Sequence, residues 1–197
     1  MICNPLDCQG ALRCRSAHPT QLLTFYPPLL IIYGENNKLN VMLKKIISGG
    51  QTGVDRAALD VALELGILCG GWCPNGRKAE DGAIPAHYPL QELPSGGYRQ
   101  RTKWNVRESD GTLILFQGQL TGGSAFTADL AHKQAKPCYT VNLSAPTDPR
   151  AVMEWIKQNN IGVLNIAGPR EGRAPGIHAA AAAYLRTLFQ LVRRRQG

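Results

Sequence analysis

A chain of 197 residues with 44% hydrophobic content closes one substantial core rather than two, and 18% charged residues beside 21 glycines and 13 prolines exclude a disordered or long-helix protein. The formal net charge of +8 admits nucleic acid, an anionic membrane surface or an anionic ligand. Its cations are scattered through loops (Arg77, Lys78, Arg99, Arg101, Lys103, Arg107, Arg170, Arg173), with one dense run at Arg193–Arg195, a pattern that favours an anionic small molecule over nucleic acid.

Six cysteines (Cys3, Cys8, Cys14, Cys69, Cys73, Cys138) include no CxxC pair, so neither a zinc site nor a disulfide scaffold is expected. His87, His132 and His178 have no metal-ligand spacing either. No apolar run approaches the roughly 20 residues of a membrane span, and the expected address is cytoplasmic.

Residues 1–41 show neither helical nor alternating period and contain the Pro27-Pro28 break, so they are expected to be an extension outside the fold, disordered or upstream of a true start at Met42. Residues 42–197 read as a single α/β domain: a three-layer Rossmann-like fold around a mostly parallel sheet of about five strands. The expected strands are Lys45–Ser48, Ile67–Gly71, Thr112–Phe116, Cys138–Leu143 and Val163–Ala167, short and apolar as strands buried on both faces should be.

A first helix over Val54–Leu65 aligns Val54, Ala58, Val61 and Leu65 on one face and stops at Gly66. The connection from Trp72 to Tyr98 is long, rich in Pro and Gly, and of a length that is usually functional or mobile. A polar helix before the third strand carries Arg99, Arg101, Lys103, Asn105 and Arg107 and reads as a solvated face. Asp148 and Pro149 open a later helix that buries Val152, Trp155 and Ile156, and a final Ala-rich helix runs over about Pro175–Val192. Trp72 and Trp104 suit either a planar ring or the edge of the core.

Three strands end in glycine-rich turns: Gly49, Gly50, Gln51, Thr52 and Gly53 after the first, Thr121, Gly122, Gly123 and Ser124 after the third, and Gly168, Pro169, Arg170 and Glu171 after the fifth. In a parallel sheet all three fall at the carboxyl edge, where open α/β folds bind ligands. Backbone N–H groups free of a Cβ approach an anion closely, and the helix that follows adds its positive end, so these turns are candidate anion sites with Gly50 as the anchor of the first. None matches GxxxxGK[ST] or GxGxxG, which removes support from P-loop hydrolysis and ordinary dinucleotide binding. Asp55 suits either the helix dipole or a hydroxyl contact, and Arg56 and Arg170 suit bidentate phosphate or carboxylate pairing.

The segments SGGQTGVDRAALDVALELGI, GGWCPNGRKAEDGAIPAHYPL, TKWNVRESDGTLIL, LTGGSAFTADLAHKQAKP and VLNIAGPREGRAPGI resemble the molybdenum cofactor carrier proteins, a family within the Rossmann-like group that includes YpsA, DprA and the LOG enzymes. The resemblance implies a homo-oligomer, dimer or tetramer, that holds the molybdenum cofactor, a pterin dithiolene bearing a phosphate. It carries over to Gly49, Gly50, Gln51, Thr52, Gly53, Asp55, Arg56, Thr121, Gly122, Gly123, Ser124, Gly168, Pro169, Arg170 and Glu171. Ser124 replaces a usual Thr and keeps the hydroxyl; Gly172 replaces a usual Ser and loses it. Glycine loops and arginines fit AMP or ADP-ribose as well as a pterin phosphate. The enzymatic alternative is a LOG-like phosphoribohydrolase, in which Asp129 stands where a Glu is expected.

Overall fold

The computed structural model describes residues 43–145 and 148–194, so the expected extension over 1–41 lies outside the described residues. Five parallel strands form the main sheet: β1 (Lys45–Ile47), β2 (Cys69–Gly70), β7 (Gly111–Phe116), β8 (Cys138–Asn142) and β9 (Val163–Ala167), in the order β2-β1-β9-β7-β8. Ile46 pairs with Leu164 on one side and Cys69 on the other, and Leu113 faces Ile166 across the next ladder. The apolar side chains of the central strands, Ile46, Leu113, Leu115, Leu164 and Ile166, are fully buried, as a sheet covered on both faces requires. The fold is the Rossmann-like α/β arrangement read from the sequence.

Helices α1 (Val54–Glu64), α4 (Pro149–Gln158) and α5 (Ile177–Arg194) pack together in one layer, and α2 (Tyr98–Glu108) and α3 (Gly122–Lys133) pack in the other. Val54, Ala57, Ala58, Val61 and Ala62 form the buried stripe of α1, and its end is closed by Gly66 N–H to Leu63 and Ile67 N–H to Ala62. Asp148 caps α4 by accepting from the Arg150 amide at 2.9 Å, with Pro149 at the first helical position. Among the described residues no helix is long and apolar enough to cross a membrane.

The second strand is shorter than Ile67–Gly71 because the chain turns at Gly71, where φ is +123°, and leaves the sheet. The long connection is structured: β3 (Trp72–Cys73) pairs in parallel with β6 (Gln91–Glu92), and β4 (Lys78–Ala79) pairs with β5 (Gly82–Ala83) as a tight hairpin. That hairpin places Glu80 against the first and third glycine turns and Asp81 against Arg56 of α1.

Candidate functional site

At the carboxyl edge of the sheet the turns after β1, β7 and β9 and the first half of α2 enclose a cavity of about 370 Å³, within the range of small-molecule sites. Of the residues singled out in the sequence, Gln51, Asp55, Thr121, Gly123, Ser124, Gly168, Pro169 and Arg170 line it. Gly49, Gly50, Thr52, Gly53, Arg56, Gly122 and Glu171 stand behind that lining.

The amides decide where an anion can sit. Helix α3 opens on Thr121 with no side-chain cap, and among the described residues the N–H groups of Gly122, Gly123 and Ser124 meet no acceptor. They form a positive helix end whose Gly123 and Ser124 face the cavity. The first turn is different. Gln51 N–H goes to Asp55 Oδ2 at 3.3 Å, Thr52 N–H to Gln51 Oε1 at 3.0 Å, and Val54 N–H to Pro169 O at 3.2 Å. Those three amides are spent within the protein.

The hairpin residue Glu80 ties the first and third turns together. It accepts from the Thr52 hydroxyl and from Gly172 N–H (2.9 Å) and faces Arg170 Nε at 3.2 Å, while Glu80 N–H donates to Gln51 Oε1 at 2.9 Å. The Thr52 hydroxyl and the Gly172 amide hold the Glu80 carboxyl below its ordinary value. Arg56 is drawn the same way: it grips Asp81 through both terminal nitrogens, at 2.5 and 2.8 Å, and gives Nε to Gly50 O. Gly50, at φ +74°, has its α-carbon facing Leu90 and Ile84, so its lack of a side chain serves packing of the connection rather than approach of an anion. Glu171 accepts from Gly176 N–H (2.5 Å) and His178 N–H (3.0 Å) and thereby satisfies the start of α5.

Charge at the cavity comes from four arginines, Arg99, Arg101, Arg170 and Arg173, against the single carboxylate of Asp55. Arg173 reaches the Thr121 hydroxyl at 3.3 Å, beside the α3 amides. Arg99 lies over the Phe126 ring, 4.7 Å from its centre. Arg101 is not on a solvated face: its Nη1 lies 3.1 Å from Asp55 Oδ2, and the two side chains are 12% and 3% exposed. Burial pushes the Asp55 carboxyl up, partly offset by Arg101 and the Gln51 amide. Tyr98 and Thr102 of α2, whose polar period gave no sign of them, also line the cavity, as do Phe116 at the end of β7 and Phe126 of α3, which no glycine motif announced.

Other candidates lie elsewhere. Asp129 is exposed on α3 and does not line the cavity. Trp72 and Trp104 pack on each other at 4.7 Å, with Trp72 Nε1 donating to Glu108, and Trp155 packs against Tyr139. Cys69, Cys73 and Cys138 are free thiols away from the cavity.

Residues 46–189 match the family described as the circularly permutated YpsA SLOG family. A crystal structure at 1.45 Å of a "Putative molybdenum carrier protein" from Syntrophus aciditrophicus SB is 47% identical in sequence, covers 75% of this chain and 95% of its own, and superposes with a TM-score of 0.72. No curated protein matches the chain.

Proposed function

The chain belongs to the circularly permuted YpsA family of SLOG proteins, and from that premise we propose that it binds and carries the molybdenum cofactor in the cavity at the carboxyl edge of its sheet. The observation that carries this reading is the uncapped start of α3, with Gly123 and Ser124 facing a cavity that four arginines also line. The cofactor's phosphate takes those amides, with Arg173 beside them and Arg170 and Arg99 within the same wall. Each charge-assisted contact of this kind contributes about 1.5–3 kcal/mol.

The donor set fits a cargo that brings its own sulfur ligands to the metal. Among the described residues no cysteine lines the cavity, while Phe116 and Phe126 do.

The test is equilibrium dialysis of the purified chain against cofactor released from a molybdoenzyme, with the rate of aerobic oxidation followed for free and bound forms. Retention with slowed oxidation is expected. Failure to retain the cofactor, with tight binding of AMP and release of its base, would overturn the reading in favour of a nucleotide-processing enzyme.

A further inference from the structure

Arg170 is held at one end only. Its Nε faces Glu80 Oε2 at 3.2 Å, and its two terminal nitrogens meet no acceptor among the described residues. The Arg170 side chain is 52% exposed and lines the cavity. A guanidinium anchored through Nε presents its terminal nitrogens on the other side as a fork, whose spacing matches two oxygens of a phosphate or carboxylate. Arg99 rests on the Phe126 ring and Arg173 on the Thr121 hydroxyl, and neither has a carboxylate partner among the described residues. Of the three cavity arginines outside the Asp55 pair, Arg170 is therefore the one whose orientation is set by a charged partner.

Glu80 divides its carboxylate. Oε1 takes the Thr52 hydroxyl and the Gly172 amide and so ties the first and third turns, whereas Oε2 is the oxygen that meets Arg170. The backbone beneath it is fixed as well, by Glu80 N–H donating to Gln51 Oε1 at 2.9 Å. A carboxylate beside an anion site also repels the anion, so two effects of opposite sign must be weighed. The repulsion acts across the guanidinium, and salt screens it over about 8 Å at physiological ionic strength. Orientation acts by contact: a free arginine loses side-chain entropy on engaging a ligand, and one already held loses less. Orientation is the stronger of the two at that ionic strength.

Resting on the reading that the cavity takes a phosphate-bearing molecule, we infer that Glu80 is a positioning residue that acts through Arg170. It holds the guanidinium so that the fork of terminal nitrogens closes on two oxygens of an oxyanion carried by the bound molecule. The hairpin thereby belongs to the binding machinery although Glu80 itself does not line the cavity.

The test is a double-mutant cycle, read by calorimetric titration of the full chain with neopterin phosphate and with inorganic phosphate at about 0.15 M salt. Glu80→Gln keeps an oxygen for Thr52 and Gly172 but removes the charge that Arg170 meets, and should weaken both probes about three- to tenfold. Arg170→Ala should weaken them about tenfold or more, and Arg170→Lys nearly as much, because an ammonium supplies the charge without the fork. On the Arg170→Ala background, Glu80→Gln should change affinity by less than about twofold. Weakening by the same factor on both backgrounds assigns Glu80 to the turns alone and overturns the inference. Unchanged or tighter binding in Glu80→Gln overturns it too, since Glu80 is then no more than an opposing charge. Either result leaves the anion site standing, whereas failure of the wild-type chain to bind both probes overturns both readings. A wild-type measurement covers a Glu80→Gln chain that does not fold. The Arg170 Nε resonance in 15N spectra should be sharp in the free chain, as for a guanidinium held in one orientation, and remain so on binding. A resonance averaged in the free chain and fixed only by the ligand overturns the inference.

Discussion

Arg101 crosses from α2 to the first glycine turn and lies against Gly49 so closely that a Cβ there would collide with its guanidinium, which is how Arg101 reaches Asp55 at 3.1 Å. Gly49→Ala should therefore displace Arg101 and separate the pair. The expected loss is about 1–3 kcal/mol of stability, as for other overpacked sites, together with weaker ligand binding. Denaturant unfolding and calorimetry check both; a variant as stable as wild type and with unchanged binding would contradict the described contact.

Arg101→Ala leaves Asp55 buried without its cation and should cost about 3–5 kcal/mol at neutral pH. The pH dependence has a definite sign. Asp55 has a raised folded value, so folding favours its neutral form more than the unfolded chain does, and the stability it contributes is lost as pH rises above the ordinary carboxylate range. Removing Arg101 removes the influence that pulls this value down, so the gap between wild type and variant should be small in acid and widen as pH rises. Urea midpoints measured from pH 3.5 to pH 7.5 that differ by a constant amount would contradict this.

Gly50→Ala should destabilise by more than about 1 kcal/mol, because the residue must hold φ +74° and its new methyl meets Leu90. Arg56→Ala should cost less, about 1 kcal/mol or under, since its partner Asp81 is half exposed. Neither residue lines the cavity, so phosphate affinity in Arg56→Ala should stay within twofold of wild type. A loss of binding beyond tenfold in Arg56→Ala would return the first turn to the role of anion site.

Glu171→Gln weakens the start of α5, and about 0.5–2 kcal/mol is expected from the loss of a helix-start acceptor. The Gly176 and His178 amides hold the Glu171 carboxyl below its ordinary value, so its contribution is present above the usual carboxylate range and disappears as pH falls through the lowered value. The difference in melting temperature between wild type and variant should be largest near neutrality and shrink in acid. A difference that grows in acid would be inconsistent with this role.

The five sheet strands and the register of glycine turns at one edge were readable because strands buried on both faces must be continuous apolar runs, and sharp strand-to-helix turns demand glycine. The family was readable from those turns together with the long connection and the segment leading into the third strand. Arg101 was not: only Asn105 and Val106 of α2 are buried, so its period is polar, and the partner that takes Arg101 out of water is Asp55 on another element. The two-residue strands of the connection are too short to leave a period, and Glu80, whose carboxylate holds two of the turns together, sits in their hairpin. Arg56 looked like a ligand group because its type suits an anion site, and Glu171 because the family resemblance carried it over. Only the fold reveals that Asp81 and the start of α5 already engage them.

The central claim, that the anion end of the site is the start of α3, is tested most directly by amide chemical-shift perturbation in the 15N-labelled full chain titrated with neopterin phosphate. The amides of Gly122, Gly123 and Ser124 should shift together and saturably, with smaller changes at Gln51 and Thr52, whose N–H groups are already bonded within the protein. The opposite pattern, with the first turn shifting and the α3 amides silent, or no saturable shift at either turn, would contradict the account.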